Sequence, residues 1–169
     1  MPGSIPVSEP VGEIETGENT QGEINIERIY IKDLSFESPN APQVFQDKWE
    51  PRIQLDINTR SRLVADTHYE VTLTITVKGS GEDDKAVFII EVVQAGIFRI
   101  TGLDDEQLKR ILSTMCPTVL FPYARETIDG LSIKGSLPPL ALAPVNFDVL
   151  FENALQQAET EKNNPSVMN

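Results

Sequence analysis

The stretch Tyr69–Lys78 constrains the fold more than any other part of the chain. Tyr69, Val71, Leu73, Ile75 and Val77 share one parity, and Glu70, Thr72, Thr74, Thr76 and Lys78 share the other. A period of two is that of a strand with one buried face and one polar face. The next residues, GSGEDD from Gly79 to Asp84, carry the chemistry of a hairpin loop. A further strand, KAVFIIEVVQAGIFRITG, follows directly. It is apolar on both parities: Phe88, Ile90 and Val92 on one, Val87, Ile89 and Val93 on the other. A half-exposed strand is not normally apolar on both sides. Either helices cover both faces or another subunit covers one. The remaining chain holds material for two helices, which points to oligomerisation.

Two earlier segments complete the sheet. The first strand is expected from Glu23 to Glu37 and the second from Arg52 to Val64, where Ile53, Leu55 and Ile57 alternate with Gln54, Asp56 and Asn58. Strands first and helices afterwards give an α+β fold with a four-stranded antiparallel sheet. In the helical half, Asp104 and Gln107 have capping-box spacing ahead of LKRIL. Pro117 and Pro122 are expected to kink or restart the long helix, leaving Tyr123–Ile133 as its continuous part, ended by Gly135. The loop SLPPLALAPV is extended. Asn146 or Asp148 caps a last helix, NFDVLFENALQQAETEK, with Phe147, Leu150, Phe151, Ala154 and Leu155 as its apolar stripe.

Residues 1–22, rich in Pro, Gly, Glu and Thr, read as a disordered acidic tail, residues 23–158 as one domain, and residues 159–169 as a flexible polar tail. The N-terminus lacks the basic start and apolar stretch of a secretory signal. No apolar run approaches the roughly 20 residues that span a bilayer. The expectation is a cytoplasmic protein without membrane insertion.

Charge narrows the class of partner. The chain carries 14 Lys and Arg against 26 Asp and Glu, a net charge of −12. Nucleic-acid binding needs cations that neutralise phosphate, so this balance argues against it. An acidic surface favours basic protein partners. Enzyme chemistry finds little purchase. His68, the single histidine, starts a strand with no nucleophile elbow nearby, and Cys116, the single cysteine, precedes Pro117 in an apolar run. No catalytic residues, metal ligands or cofactor are expected. The acids of Gly79–Asp84 do not follow a calcium-loop spacing, and Gly79 and Gly81 do not open a phosphate cradle.

Binding surfaces are easier to find. On the first strand Ile29, Ile31, Asp33, Ser35 and Glu37 share one parity, and Tyr30, Lys32, Leu34 and Phe36 the other. Asp33 and Glu37 are then expected on one sheet face, about 13 Å apart. Glu91 has the parity of Ile89, so three carboxylates could surround an apolar patch; the alternative is a plain solvated sheet face. The loop Pro39–Pro51 carries Val44, Phe45 and Trp49, which are costly to expose at ~25 cal/mol per Å² of apolar area. They either fold back on the core or line a groove for apolar segments of a partner, which Phe151 could close.

Four stretches in order resemble the SecB family of bacterial export chaperones: RIYIKDLSFESPNAP (Arg28–Pro42), VFIIEVVQAGIF (Val87–Phe98), CPTVLFPYARE (Cys116–Glu126) and LAPVNFDVLF (Leu142–Phe151). The resemblance covers about Ile24 to Gln157. It implies a non-enzymatic cytosolic homotetramer, a dimer of dimers with long helices sandwiched between the paired dimers. Such a chaperone holds precursor proteins unfolded and hands them to the translocation motor SecA. It implies SecA docking at Asp33, Glu37, Ile89 and Glu91, client binding at Val44, Phe45, Trp49 and Phe151, and assembly tuned by Ile90, Val92 and Gln94. A cysteine frequent in the family's fourth strand is Ile90 here, and both tails depart from the pattern. The rival readings are a SecB-like chaperone dedicated to a toxin–antitoxin system, and a small-molecule binder or enzyme on a sheet-and-helix fold.

Overall fold

The computed structural model describes residues 22–46, 48, 50–81 and 84–163, without the side chains of residues 162 and 163. Four strands form a single antiparallel sheet in the order β1-β4-β3-β2. They are β1 (Glu23–Glu37), β2 (Arg52–Ala65), β3 (His68–Ser80) and β4 (Ala86–Thr101). β1 and β2 are therefore the two edges, and the connection between them crosses the end of the sheet. Ser38 and Asn40 pin that crossing by donating side-chain hydrogen bonds to the carbonyls of Val87 (2.9 Å) and Ala86 (2.8 Å).

The alternation in β3 is realised as read. Val71, Leu73, Ile75 and Val77 are fully buried beneath the helices, as are Phe88, Ile90, Val92 and Phe98 of β4. The second apolar parity of β4, Val87, Ile89 and Val93, is half-buried on the outer sheet face. No helix covers that face among the described residues. Side chains of the flanking strands shade it, as expected for a central strand.

β3 and β4 meet later than expected. Gly79 and Ser80 are still paired with β4, opposite Phe88 and Ala86, so the loop proper starts at Gly81. Gly79 serves close approach rather than turning: a Cβ there would lie 2.2 Å from the Phe88 ring. Residues 82 and 83, part of the expected hairpin loop, lie outside the described residues.

Two helices, α1 (Asp105–Ser113) and α2 (Met115–Lys134), form a layer on the sheet, and α3 (Phe147–Asn163) packs against those helices. Asp104 and Gln107 make the full capping box of α1. The expected break at the prolines does not occur, and α2 runs unbroken through both. Pro117 falls in the first turn, where a backbone N–H has no intrahelical partner anyway. Pro122 and Thr118, whose carbonyl loses its donor, are both exposed, so the missing bond falls on the solvent side of the helix. The helix ends at Gly135, as expected. Gly135 is the cap residue but Ser136 takes the left-handed conformation (φ 59). Leu137 N–H bonds Ser132 O (2.9 Å) and Ser136 N–H bonds Ile133 O (3.1 Å), a Schellman closure. Gly135 is needed because the Phe36 ring sits where its Cβ would be.

Asn146 caps α3, accepting from Val149 N–H at 3.1 Å. Only part of the expected stripe is covered. Phe147 is buried and meets Phe121 edge-on at 6.2 Å, whereas Leu150 and Ala154 are exposed. α3 thus leans on the helix layer through a narrow contact.

Candidate functional site

The outer sheet face carries most of the charge and is best described in rows across the strands. Glu37 stands opposite Ile89, Ser35 opposite Glu91, and Asp33 opposite Val93. Cross-strand partners project from the same face, so Asp33, Glu37, Ile89 and Glu91 share the outer face, as parity suggested. The grouping within β1 was not as read. Extra residues in β1 shift the register between Ile26 and Arg28 and again between Ile31 and Asp33. A bulge moves every following side chain to the other face. Ile29 and Ile31 therefore lie on the helix side, opposite Gly96 and Gln94, while Tyr30 lies on the outer side with Asp33. Leu34 and Phe36 return to the helix side, opposite Val92 and Ile90.

Asp33 accepts the Leu34 N–H at 3.0 Å, and Glu91 accepts from the Thr76 hydroxyl at 3.2 Å. Asp56 of β2 is level with Thr76 and extends the acidic region to the far edge. Asp33, Glu37 and Asp56 are exposed and Glu91 is half-buried. These carboxylates flank the apolar surface of Ile89 and Val93, an arrangement suited to basic side chains that carry apolar stems.

At the other end of the same face lies a feature that sequence reasoning missed. Glu70 is buried, at 4% exposure, and is gripped from three sides. Arg62 Nε donates at 2.6 Å, Lys32 Nζ lies 2.9 Å from both oxygens, and the Tyr30 hydroxyl donates to Oε1. The hydrogen bond from Arg62 leads in drawing the Glu70 pKa down to about 2, with Tyr30 and Lys32 adding to it against the cost of burial. Burial and the neighbouring carboxylate push Tyr30 up to about 12. The members come from three strands and are far apart in sequence, so no short motif signals them.

The apolar candidates divide. Phe45, in the short 3-10 turn Gln43–Phe45, is exposed and Val44 is half-buried, so the loop does not fold wholly onto the core. Trp49 lies outside the described residues. Phe151 sits elsewhere: on α3 it is half-buried beneath the guanidinium of Arg110, 5.6 Å from its ring centroid, and Arg110 belongs to α1, the helix that begins just beyond the opposite end of β4. The structure thus does not place Phe151 beside Phe45. What lies at the same end of the sheet as the loop is the helix-facing row of β2, with Ile53 47% and Leu55 40% exposed. Their alternation reads as core; the edge position of β2 is what leaves them open.

Ile90, Val92 and Gln94 are buried inside the chain itself, at 0%, 0% and 2% exposure. Gln94 Nε2 donates to the Tyr30 carbonyl at 3.0 Å, and its Oε1 has no partner within the described residues. Chemistry for catalysis is sparse. Burial pushes the Cys116 thiol up to about 12, which removes the thiolate. His68 Nε2 faces Glu27 at 3.1 Å. Among the described residues no three His, Cys, Asp or Glu are grouped to hold a metal, and no helix is long and apolar enough to cross a membrane.

The fold and these surfaces define a binding protein. The family described as "Preprotein translocase subunit SecB" matches residues 17–158. A protein-export protein SecB of Hahella chejuensis is 50% identical over 141 residues, covering 83% of this chain and 88% of that one. Its counterpart in Marinobacter nauticus is 49% identical over 141 residues, 83% of this chain and 85% of that one. The one in Pseudomonas syringae pv. syringae is 45% identical over 159 residues, 94% and 98% of the two chains. Among solved structures, the Mycobacterium tuberculosis SecB-like chaperone in complex with an antitoxin peptide superposes with a TM-score of 0.56 at 21% identity, covering 73% of this chain and 91% of that one. The chain belongs to the SecB family of protein-export chaperones.

Proposed function

We propose that the protein is an ATP-independent holdase of the cytoplasm that keeps precursor proteins unfolded and passes them to the SecA motor. The observation that carries this reading is the division of exposed surface. Apolar side chains at Phe45, Ile53 and Leu55 lie open at one end of the helix side, while carboxylates at Asp33, Glu37 and Glu91 gather on the opposite face. The first surface suits extended apolar segments, whose backbone can also pair with the free β2 edge. The second suits a basic partner that must be recognised while a client is held. Folded clients bury their apolar segments and escape, so competition with folding supplies selectivity without nucleotide.

A homotetramer, as a dimer of dimers, fits two further groups of exposed apolar side chains. Ile31 and Leu34 lie open on the β1 edge, and Tyr123 and Ile133 on the outer side of α2. Several grooves on one assembly add avidity for a long unfolded chain. Ile90, Val92 and Gln94 would act on assembly through the packing of β4 beneath α2, since they are covered by their own chain. The toxin–antitoxin reading is not favoured: the curated relatives are named for export, and the likeness to the mycobacterial chaperone speaks for the fold alone.

The test is a refolding assay with an unfolded precursor, without nucleotide, at near-stoichiometric tetramer. Phe45→Ala with Leu55→Ser should weaken holding while SecA binding persists. Trp49→Ala belongs in the same series. Undiminished holding by these variants would move the client surface elsewhere.

A further inference from the structure

A groove on the outer sheet face runs from the basic region to the edge of the acidic one, at Glu91. Its lining of about 500 Å³ includes Lys32, Arg60 and Arg62 at one end and Glu91 at the other, with Thr72 and Thr74 as floor. The register makes the division sharp. Arg28 and Arg62 are level with Ile97 and Glu70, and Arg60 is level with Thr72 and Ala95. Lys32 reaches the same end through Glu70. Arg28, Lys32, Arg60 and Arg62 gather there around Glu70, which is spent on Arg62, Lys32 and Tyr30, and Glu27 beside them is engaged with His68 and Arg99. Over the next three rows stand Asp33, then Glu91 with Asp56, then Glu37 with Lys78, while Arg52 beyond them is paired with Asp84. From the Arg60–Thr72 row to the Asp56–Thr76 row is four residues, about 13 Å. In a chain with 26 acids and 14 basic residues, four of the basic ones converge on this patch.

We propose that the outer face reads a partner segment of mixed charge: an extended polypeptide with Lys or Arg over the Asp33–Glu37–Glu91 half and Asp or Glu, about four residues away, over the Arg28–Arg60 half. The argument is charge complementarity. A purely basic segment would gain at one end of the groove and be repelled at the other, whereas a mixed one gains at both. Opposed patches also fix direction, because the reversed segment places like charges together. The proposal rests on the reading of this face as the SecA dock and deepens it by naming a second, anionic element in the partner.

The experiment titrates SecA against the full-length protein, an Arg28→Glu/Arg60→Glu variant and a Glu37→Lys variant, at low and moderate salt. Arg28 and Arg60 are exposed, and light scattering with circular dichroism would confirm that assembly and folding are kept. The sign of the arginine variant decides. A mixed-charge partner loses affinity, on the order of tenfold at low salt, in both variants. A purely basic partner binds the arginine variant equally well or more tightly, because the surface has become more acidic, and still loses affinity for Glu37→Lys; that result overturns the inference and leaves the dock intact. Unchanged affinity for Glu37→Lys overturns the dock itself. A second readout uses a synthetic peptide with three lysines and two aspartates four residues apart, against the same peptide with asparagines. Equal binding of the two would also overturn the inference.

Discussion

The side-chain amide of Gln94 donates to the backbone carbonyl of Tyr30 at 3.0 Å, beside the irregularity at Lys32 that interrupts the β1–β4 ladder. A side chain of the central strand thus completes hydrogen bonding that the bulge disturbs. Gln94→Leu removes the donor and leaves a partly buried carbonyl unpaired, offset in part by loss of the unpartnered Oε1, for a net cost on the order of 1 kcal/mol. Urea unfolding should show a lower midpoint with little change in slope. Hydrogen exchange should quicken first around residues 30–34. A variant as stable as the parent would mean that the carbonyl finds another donor.

Glu70 makes stability depend on acid. Its carboxyl titrates near 2 when folded, against an ordinary value of 4.5. A depressed folded pKa contributes stability that is complete above the unfolded pKa and is lost as pH falls through the folded one. The contribution, up to ~3 kcal/mol, should therefore drain away between about pH 5 and pH 2. Glu70→Gln should flatten the melting-temperature profile over that window and lower stability at pH 7. Tyr30 acts at the other extreme: its raised pKa holds stability below pH 10 and releases it as pH rises through about 12. A parent profile parallel to that of Glu70→Gln in acid would contradict the arrangement.

Much of the sheet was legible because period two survives wherever no residue is inserted. The faces of β3 and β4, the burial of Val71 to Val77 and the pairing of Asp33 with Glu37 and of Ile89 with Glu91 within their strands follow from it, whereas the register alone brings the two pairs to one face. The bulges in β1 were not legible. Neither Glu27 nor Lys32 is a glycine or otherwise marked, yet each moves the residues beyond it to the other face, so Ile29 and Ile31 part company with Asp33. Exposure of Ile53 and Leu55 depends on strand order, which alternation cannot report. The continuity of α2 depends on which side Pro122 faces, a tertiary matter. The Glu70 cluster draws on positions 30, 32 and 62, brought together only by pairing across the whole sheet.

Arg110 is the clasp of α3. Its guanidinium bonds Glu152 at 2.7 Å, lies 3.7 Å from Asp148 and stacks over Phe151. Since the group is about half exposed, each contact is worth little, on the order of 1 kcal/mol together with the ring. Arg110→Ala should leave global stability nearly unchanged but raise hydrogen exchange across residues 147–160 severalfold. Phe147, held against Phe121, should stay the best protected position of the helix. Uniform protection in the variant would mean that Phe147 alone holds α3.

Assembly and chain stability can be separated by choosing the right face. Ile31 and Leu34 are 45% and 43% exposed on the β1 edge, whereas Val92 is fully covered by its own chain. Ile31→Lys with Leu34→Lys places charges on an edge strand, a device that blocks edge pairing without burying anything. For the proposed tetramer, this variant should fall from four chains to two or one by light scattering at micromolar concentration, with its unfolding transition kept. Val92→Asp buries an unpaired carboxylate and should cost several kcal/mol in the chain itself, so that loss of assembly accompanies loss of cooperative folding. A lysine pair that leaves the tetramer intact would show that copies meet through the outer side of α2, at Tyr123 and Ile133, and not along β1.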